Sequence, residues 1–369
     1  MKKPIRIFAL PSHQTVDRTS GVDMVRIIQP MQHLNKLPGF KVDIFDIHKD
    51  VARMDWLTVA KEHDIIYLNY IGNAWAFAAM GAMARKYGRK IIFDLDDSLW
   101  NIMKDNSAYK VYHKGSEALN NYTSMCNEVD YMTTTNLYLK HVITHNTRKT
   151  HDKIKIFPNY IDFKLYNHRS KFKDDGNIRL LHFGSTTHFI SLQNKEFEDG
   201  IDKIFKEYPN VTLKTIGAFI PKFKNKWGRR YEHGFGHQDV YKWIKNKFPG
   251  YMDEADIIVA PLEVNVYNRA KSSIKFLESG SAKKPGVWQD IRQYQSVVNH
   301  GENGFLAERA NGWYKAIKKL IEDKKLRKTM GENAFKTVEK NWQIDSHIQD
   351  YADFFREVLD NQKNNGIVG

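Results

Sequence analysis

Short apolar runs alternate with helix-period stretches along the chain. Residues 5–10 are apolar and end in Pro11-Ser12, the form of a buried parallel strand opening into a loop. Residues 24–37 follow with apolar side chains at 24, 27, 28, 31 and 34, which predicts a helix. Residues 42–47, 64–69 and 90–95 predict three further strands, with a small-residue helix over 74–87 before the last of them. Two more short strands, 129–134 and 154–157, flank another helix. Strand and helix at such intervals predict an α/β domain built on a doubly wound parallel sheet.

The polar stretch 164–177, with Asp174-Asp175-Gly176 as a turn, marks a linker. Beyond it the alternation restarts, with strands at 178–183, 211–216 and 255–260 and a helix at 197–208. The layout is a first domain over 1–163, a linker over 164–177, a second domain over 178–342 and a terminal helix and tail over 343–369. Helices are expected at 312–322, 325–342 and 344–359, and a frayed tail at 361–369. The last helix carries apolar residues at 344, 348, 351, 354, 355 and 358, a face that must be covered. Two such domains imply a cleft, and ligands of these folds bind beyond the carboxyl ends of the strands.

With 369 residues, 41% of them hydrophobic, the chain can bury two cores. No run approaches a membrane span, and the N-terminal run is too short for a signal peptide, so a cytoplasmic protein is expected. Cys126, the single cysteine, excludes an internal disulfide and is expected to be a small buried side chain. A net charge of +14 points to an anionic partner, nucleic acid or an acidic membrane surface. Within 219–248, eight lysines and arginines stand against only Glu232 and Asp239, interleaved with Phe223, Trp227, Tyr231, Phe235, Tyr241 and Trp243. Cations and rings in that mixture suit a nucleic acid, a basic membrane-surface patch, a loop over a nucleotide base, or a solvated insertion. His233 and His237 with Glu232 and Asp239 can be drawn as a metal site, but their glycine-containing setting argues against one, and no metal is expected.

The chemistry concentrates in Asn268-Arg-Ala-Lys-Ser-Ser-Ile-Lys-Phe-Leu-Glu-Ser-Gly280. As one helix, this stretch places Asn268, Lys271, Lys275 and Glu278 on one face and Ala270, Ile274, Leu277 and Ser281 on the other. Asn268 is an expected N-cap, which puts Lys271, Ser272 and Lys275 near the positive end of the helix. Two ammonium groups and a helix N-terminus suit a diphosphate, and the carboxylate of Glu278 suits a pair of hydroxyls. The same spacing also serves an ordinary amphipathic surface helix.

Several further motifs complete a family pattern. These are Gly21-Val-Asp-Met-Val-Arg26 with Pro30, Phe93-Asp-Leu-Asp-Asp97 with Leu99-Trp100, and Pro158-Asn-Tyr-Ile-Asp162. In the second half come His182-Phe-Gly-Ser185 with His188, Asp256-Ile-Ile-Val-Ala-Pro-Leu262, the 268–280 stretch, and Gly301-Glu-Asn-Gly-Phe-Leu306. In order and spacing the chain resembles retaining, nucleotide-sugar-dependent glycosyltransferases of the GT-B fold, the family 4 or group 1 type. The resemblance implies two Rossmann-like domains facing a central cleft, with a C-terminal helix crossing back to the first. It implies a UDP- or GDP-sugar as donor in the second domain, an acceptor in the first, no required cofactor, and transfer with retention. Donor-binding candidates are Gly21, Ser185, His188, Asn268, Lys271, Ser272, Lys275 and Glu278; Lys271, Lys275 and Asp96 are the catalytic candidates. Arg26 and Asp97 are acceptor-side candidates, and Asp94 is expected to cap or pair within the fold. Glu278 matches the second acid of the family's Glu-x7-Glu motif, whereas Ala270 stands where the first is expected.

The expected partner besides the donor is an anionic acceptor or surface, either a membrane-associated glycan or lipid, or DNA. The protein would then be peripheral at the inner membrane surface or on nucleic acid. Alternatives are transfer to hydroxymethylated bases of phage-type DNA, and a non-catalytic protein that binds sugar nucleotides or nucleic acid, for which Ala270 is the support.

Overall fold

The computed structural model describes residues 3–12, 20–46, 49–106, 108–170, 172–184, 189–235 and 239–365, with side chains through Asn361. The first sheet contains β1 (Ile5–Leu10), β2 (Phe40–Ile44), β3 (Ile65–Leu68), β4 (Lys90–Leu95), β5 (Tyr131–Thr134) and β6 (Ile154–Ile156), in the order β2-β1-β3-β4-β5-β6. The second contains β7 (Ile178–Phe183), β8 (Val211–Ile216), β9 (Tyr231–Gly234), β10 (Ile257–Ala260), β11 (Gly286–Gln289) and β12 (Phe305–Ala307), in the order β12-β11-β10-β7-β8-β9. Every pairing is parallel, as a strand–helix–strand alternation requires. β3 and β10 are buried at all four positions, which is why they appear in the sequence as unbroken apolar runs. In each sheet the chain reverses its direction of winding beside the first strand, β1 or β7, so the loops after these strands and their neighbours open a crevice.

Several elements depart from the sequence expectation. The predicted helix over 24–37 is a π-helical stretch, Asp23–Ile28, leading into an α-helix, Gln29–Leu34. The 219–248 segment forms three short helices and the edge strand β9, so it is an integral part of the second sheet. Of the tail expected to fray, 361–365 continue the terminal helix and 366–369 lie outside the described residues. The 164–177 linker is tied down: Tyr166 is 1% exposed and the Ser170 hydroxyl donates to the Ala282 carbonyl at 2.7 Å.

The terminal helix, Ile348–Asn365, explains its own apolar stripe. Tyr351, Phe354, Phe355 and Val358 cluster with Ile7, Ala9, Tyr67 and Ile92 of the first sheet. Phe157 and Tyr351 stack at 3.8 Å between ring centroids. The strand-like bridge from Ile161 to Gln343 clamps the crossing, and His33 joins Asp162 (3.0 Å) to Asp345 (2.6 Å). The chain therefore returns to the first domain after completing the second.

Candidate active site

After β10, Pro261-Leu262 leads into two short helices instead of one. Asn265, whose side chain accepts from the Asn268 amide at 2.8 Å, caps a single turn, Val266–Arg269; the second helix runs Ile274–Ser281. This corrects the expected N-cap at Asn268. The Asn268 amide group donates to the Glu263 carbonyl at 2.9 Å and its own carbonyl accepts from Gln293 at 2.8 Å, so Asn268 braces the loop from a buried position. Ala270 to Ser273 lie between the helices, which puts Lys271 and Ser272 before the N-terminus of the second helix and Lys275 in its first turn.

First-domain side chains hold this loop. Asn136, the N-cap of the helix Leu137–Asn146, donates to the Ala270 carbonyl at 2.8 Å. Asn159 donates to the Ser272 hydroxyl at 2.8 Å. Asp97, on the loop after β4, accepts from Tyr267 at 3.2 Å and from Lys271 at 3.4 Å, and Lys271 also lies 4.6 Å over the Tyr267 ring. Ala270 itself is fully buried and clusters with apolar residues of the first domain. A small contact thus occupies the position of the missing acid.

The electrostatics follow from burial and neighbours. Burial opposes the charge on Lys271, but Asp97, Tyr267 and Asp96 outweigh it and hold the ammonium above its ordinary range. Burial, aided by Lys271, pushes Lys275 down to about 8. Glu278 accepts from the Tyr166 hydroxyl at 2.9 Å, yet burial pushes its carboxyl up to about 7. Asp96 is pushed up to about 8, by burial and then by Asp97. Burial and the neighbouring Asp97 carboxylate thus both favour its protonated form.

Not every expected site residue arrives here. Arg26 is fully buried: its guanidinium donates to both oxygens of Asp94 at 2.9 and 2.7 Å and reaches Asn159 at 3.0 Å. It presents no charge to the cleft, and instead connects the first-domain core to Asn159 and so to Ser272. Asp94 pairs within the fold, as expected. A Cβ at Gly21 would meet no protein atom within 4 Å, so no packing contact within the chain requires a glycine there. Ser185, Thr186 and His188 lie outside the described residues. His182 at the end of β7 is buried, contacts the Val259 carbonyl at 2.9 Å, and is pushed down to about 3 by burial and Lys275.

The basic, aromatic 219–248 segment is partly consumed by the fold, with Phe235, Tyr241, Arg229, Lys242, Lys245 and Lys247 left exposed. Phe223, Trp227 and Tyr231 are core residues of the second domain. Lys222 and Lys226 bind Glu198 at 2.6 and 2.7 Å, and Arg230 donates to the carbonyls of Phe205, Tyr208 and Val211. His237 lies outside the described residues, and no group of three or more potential metal ligands occurs among those described. Cys126 is buried, as expected.

Asn136, Tyr166 and Tyr267 were not anticipated from the sequence. Asn159 lies in a quoted motif but carried no assigned role. Each acts across a long sequence separation, for which no local pattern exists.

Residues 180–323 match the family model for Glycosyl transferases group 1. No curated protein matches the sequence. Among solved structures, the chain is similar to Anabaena HepE in complex with UDP and glucose, at 15% identity, a TM-score of 0.64, and coverage of 95% of this chain and 99% of that one. It is similar to sucrose-phosphate synthase from Thermosynechococcus elongatus at 13% identity and a TM-score of 0.64, with 97% and 100% covered. It is also similar to a point mutant of S. aureus TarM in complex with fondaparinux, α-GlcNAc-glycerol and UDP, at 12% identity and a TM-score of 0.58, with 81% and 58% covered. The architecture is GT-B, and the second domain has the group 1 glycosyl transferase pattern.

Proposed function

We propose that the protein is a retaining glycosyltransferase that moves a sugar from a nucleoside diphosphate sugar, UDP-linked in the first instance, to a hydroxyl of a cell-envelope glycan or lipid-linked acceptor. The carrying observation is the broken 266–281 segment, which sets Lys271, Ser272 and Lys275 around one helix N-terminus with Glu278 one turn beyond, at a cleft closed by Asp96 and Asp97. UDP and a sugar occupy the HepE structure, which supports a UDP-sugar donor here.

The bond that breaks joins the anomeric carbon to the diphosphate oxygen, and negative charge grows on that oxygen. Lys271, Lys275 and the amides at the start of Ile274–Ser281 stabilise it as fixed charges and dipoles, the positive contribution a divalent cation supplies in other enzymes. The acceptor oxygen bonds to the same face of the sugar, and its proton passes to the departing phosphate oxygen. Asp96, pushed toward its protonated form by burial and Asp97, donates a hydrogen bond to a sugar hydroxyl. Glu278, oriented by Tyr166, accepts from the ribose hydroxyls.

The acceptor belongs to the first domain, and the site of action is the cytoplasm or its membrane surface. No helix among the described residues is long and apolar enough to cross a membrane. Part of the 219–248 segment is committed within the domain, whereas Phe235, Tyr241, Lys242, Lys245 and Lys247 are exposed, so a nucleic-acid acceptor is the alternative reading. A panel of nucleotide sugars tests the proposal through nucleoside diphosphate release with and without saccharide acceptors. Release from a UDP-sugar that depends on Lys271 is expected; a folded protein that releases none from any donor overturns it.

A further inference from the structure

Asn159 joins a fully buried cation of the first domain to a hydroxyl of the second. It follows β6 in a segment held at both ends, since the Phe157 ring stacks on Tyr351 and Ile161 bridges to Gln343. Beside it Tyr160 stacks on His347 at 4.4 Å, and Asn159 itself is buried, so its amide has little freedom to turn. Arg26 decides which way that amide faces. A guanidinium has donors only, so the atom 3.0 Å from Arg26 Nη1 is the Asn159 side-chain oxygen. The Asn159 Nδ2 group then faces Ser272 and donates to its Oγ at 2.8 Å. With that lone pair taken, the Ser272 proton is directed elsewhere, and Asn159 is the only hydrogen-bond partner of this hydroxyl among the described residues. Ser272 is half-buried and precedes Ser273, which supplies no side-chain cap to the helix Ile274–Ser281. A hydroxyl of fixed polarity thus stands beside a helix N-terminus that lacks a cap.

We propose that Asn159 is a positioning residue that fixes the Ser272 hydroxyl as a hydrogen-bond donor to the diphosphate, and that it does so only while the two domains are in contact; the proposal rests on the glycosyltransferase reading. A free serine hydroxyl rotates between donor and acceptor roles, whereas a diphosphate oxygen only accepts. Holding a lone pair of Oγ toward Asn159 removes the unproductive orientation before the ligand arrives, which is preorganisation. The polarity is enforced from the core of the first domain. Asp94 accepts from Arg26 Nε and Nη2 and from the Tyr67 hydroxyl at 3.1 Å, so the guanidinium cannot turn away from Asn159 without breaking a buried ion pair. Asn159 follows β6 of the first sheet and Ser272 follows β10 of the second, so opening the cleft separates them. Asn136, donating to the Ala270 carbonyl at 2.8 Å, holds the same loop two residues away. Diphosphate affinity and domain contact are therefore linked, and by reciprocity a bound diphosphate favours the closed pair.

Asn159→Asp tests the polarity with almost no change of shape. One carboxylate oxygen still accepts from Arg26, but the other also accepts, so Ser272 must turn its proton to the carboxylate. UDP affinity by calorimetry and uridine affinity by ligand-observed NMR are measured on the full chain for wild type, Asn159→Asp, Ser272→Ala and the double variant, with thermal melts to confirm folding. Each single variant is expected to lose about tenfold or more in UDP affinity, with uridine, which has no phosphate, changed by less than about twofold. The double variant is expected to be no weaker than Asn159→Asp alone, since the reversed hydroxyl already gives the diphosphate nothing. Full additivity overturns the proposal, because a carboxylate that merely repels the diphosphate acts without Ser272. Unchanged UDP affinity in Ser272→Ala also overturns it, as do equal losses for UDP and uridine, the mark of a purely structural role. A wild type that binds UDP but releases none from any donor sinks the glycosyltransferase reading alone; one that binds no UDP overturns both.

Discussion

Glu278 and Lys275 are shifted toward each other's charge-neutral forms, the carboxyl up to about 7 and the ammonium down to about 8, each chiefly by burial. Donor binding as proposed needs Glu278 ionised and Lys275 protonated. UDP affinity is therefore expected to peak between about pH 7 and 8 and to fall on both sides. Calorimetry from pH 5.5 to 9 checks this; Glu278→Gln should lower the peak affinity and remove the acid limb. The stability consequence has the opposite sign to that of an ordinary paired carboxylate. The folded state binds a proton at Glu278 that the unfolded chain, near 4.5, has released, so this contribution is present at low pH and is lost as pH rises through about 7. Thermal melts should show the fall in the wild type and a flatter profile in Glu278→Gln. Lys271→Ala is expected to cost about tenfold to a hundredfold in UDP affinity with the fold retained, since charge-assisted hydrogen bonds contribute roughly 1.5–3 kcal/mol. Unchanged affinity would remove Lys271 from the donor site. The roles of Lys271 and Glu278 were legible because residue type and family spacing coincide there; the Tyr166 contact was not, since 112 residues separate it from Glu278.

At the scale of elements, the helix Ile274–Ser281 owes its position to the helix Lys324–Asn341. A Cβ on Gly280 would come 2.7 Å from Val338 Cγ2 and 3.1 Å from the Ala334 carbonyl. A Cβ on Gly331 would lie far inside van der Waals contact with the Lys283 carbonyl oxygen, on a residue already at φ 59°. Backbone cannot yield as a flexible side chain does, so Gly331→Ala is expected to destabilise by about 1–3 kcal/mol as an overpacked contact. A melting temperature within a degree of wild type would contradict that. Periodicity located the helix Lys324–Asn341 to within a residue at each end, and β1, β4, β7 and β8 residue for residue, because each has a long apolar run or stripe. It missed the break at Ala270–Ser273. Nothing in the local pattern interrupts the stripe there; the break is held by Asn136 and Asn159 from the other domain. The 219–248 segment was legible only in part, since its first half pairs with β8 and with Glu198 and Asp202 far off in sequence while Phe235, Tyr241, Lys242, Lys245 and Lys247 are exposed.

For the whole molecule, the two domains meet through charge at the very group proposed to receive the donor. Asp97 of the first domain lies 3.4 Å from Lys271 of the second, with the side chains 34% and 15% exposed, and Tyr267 bridges them. The carboxylate occupies Lys271 much as a phosphate oxygen would, so an incoming diphosphate must displace it. A partly exposed pair of this kind contributes on the order of 1 kcal/mol. Removing the competing charge with Asp97→Asn is therefore expected to tighten UDP binding by about fivefold, with the Tyr267 hydrogen bond retained. The effect should shrink in high salt, because the contact is open to solvent on the Asp97 side. It should vanish in the Lys271→Ala background, where there is no ammonium to contest. Calorimetry on the two single variants and the double variant forms a complete cycle. Weaker UDP binding in Asp97→Asn would mean that Asp97 aids the donor directly and does not compete with it. An effect that persists without Lys271 would place the competition on Lys275, which also lies in the field of Asp97.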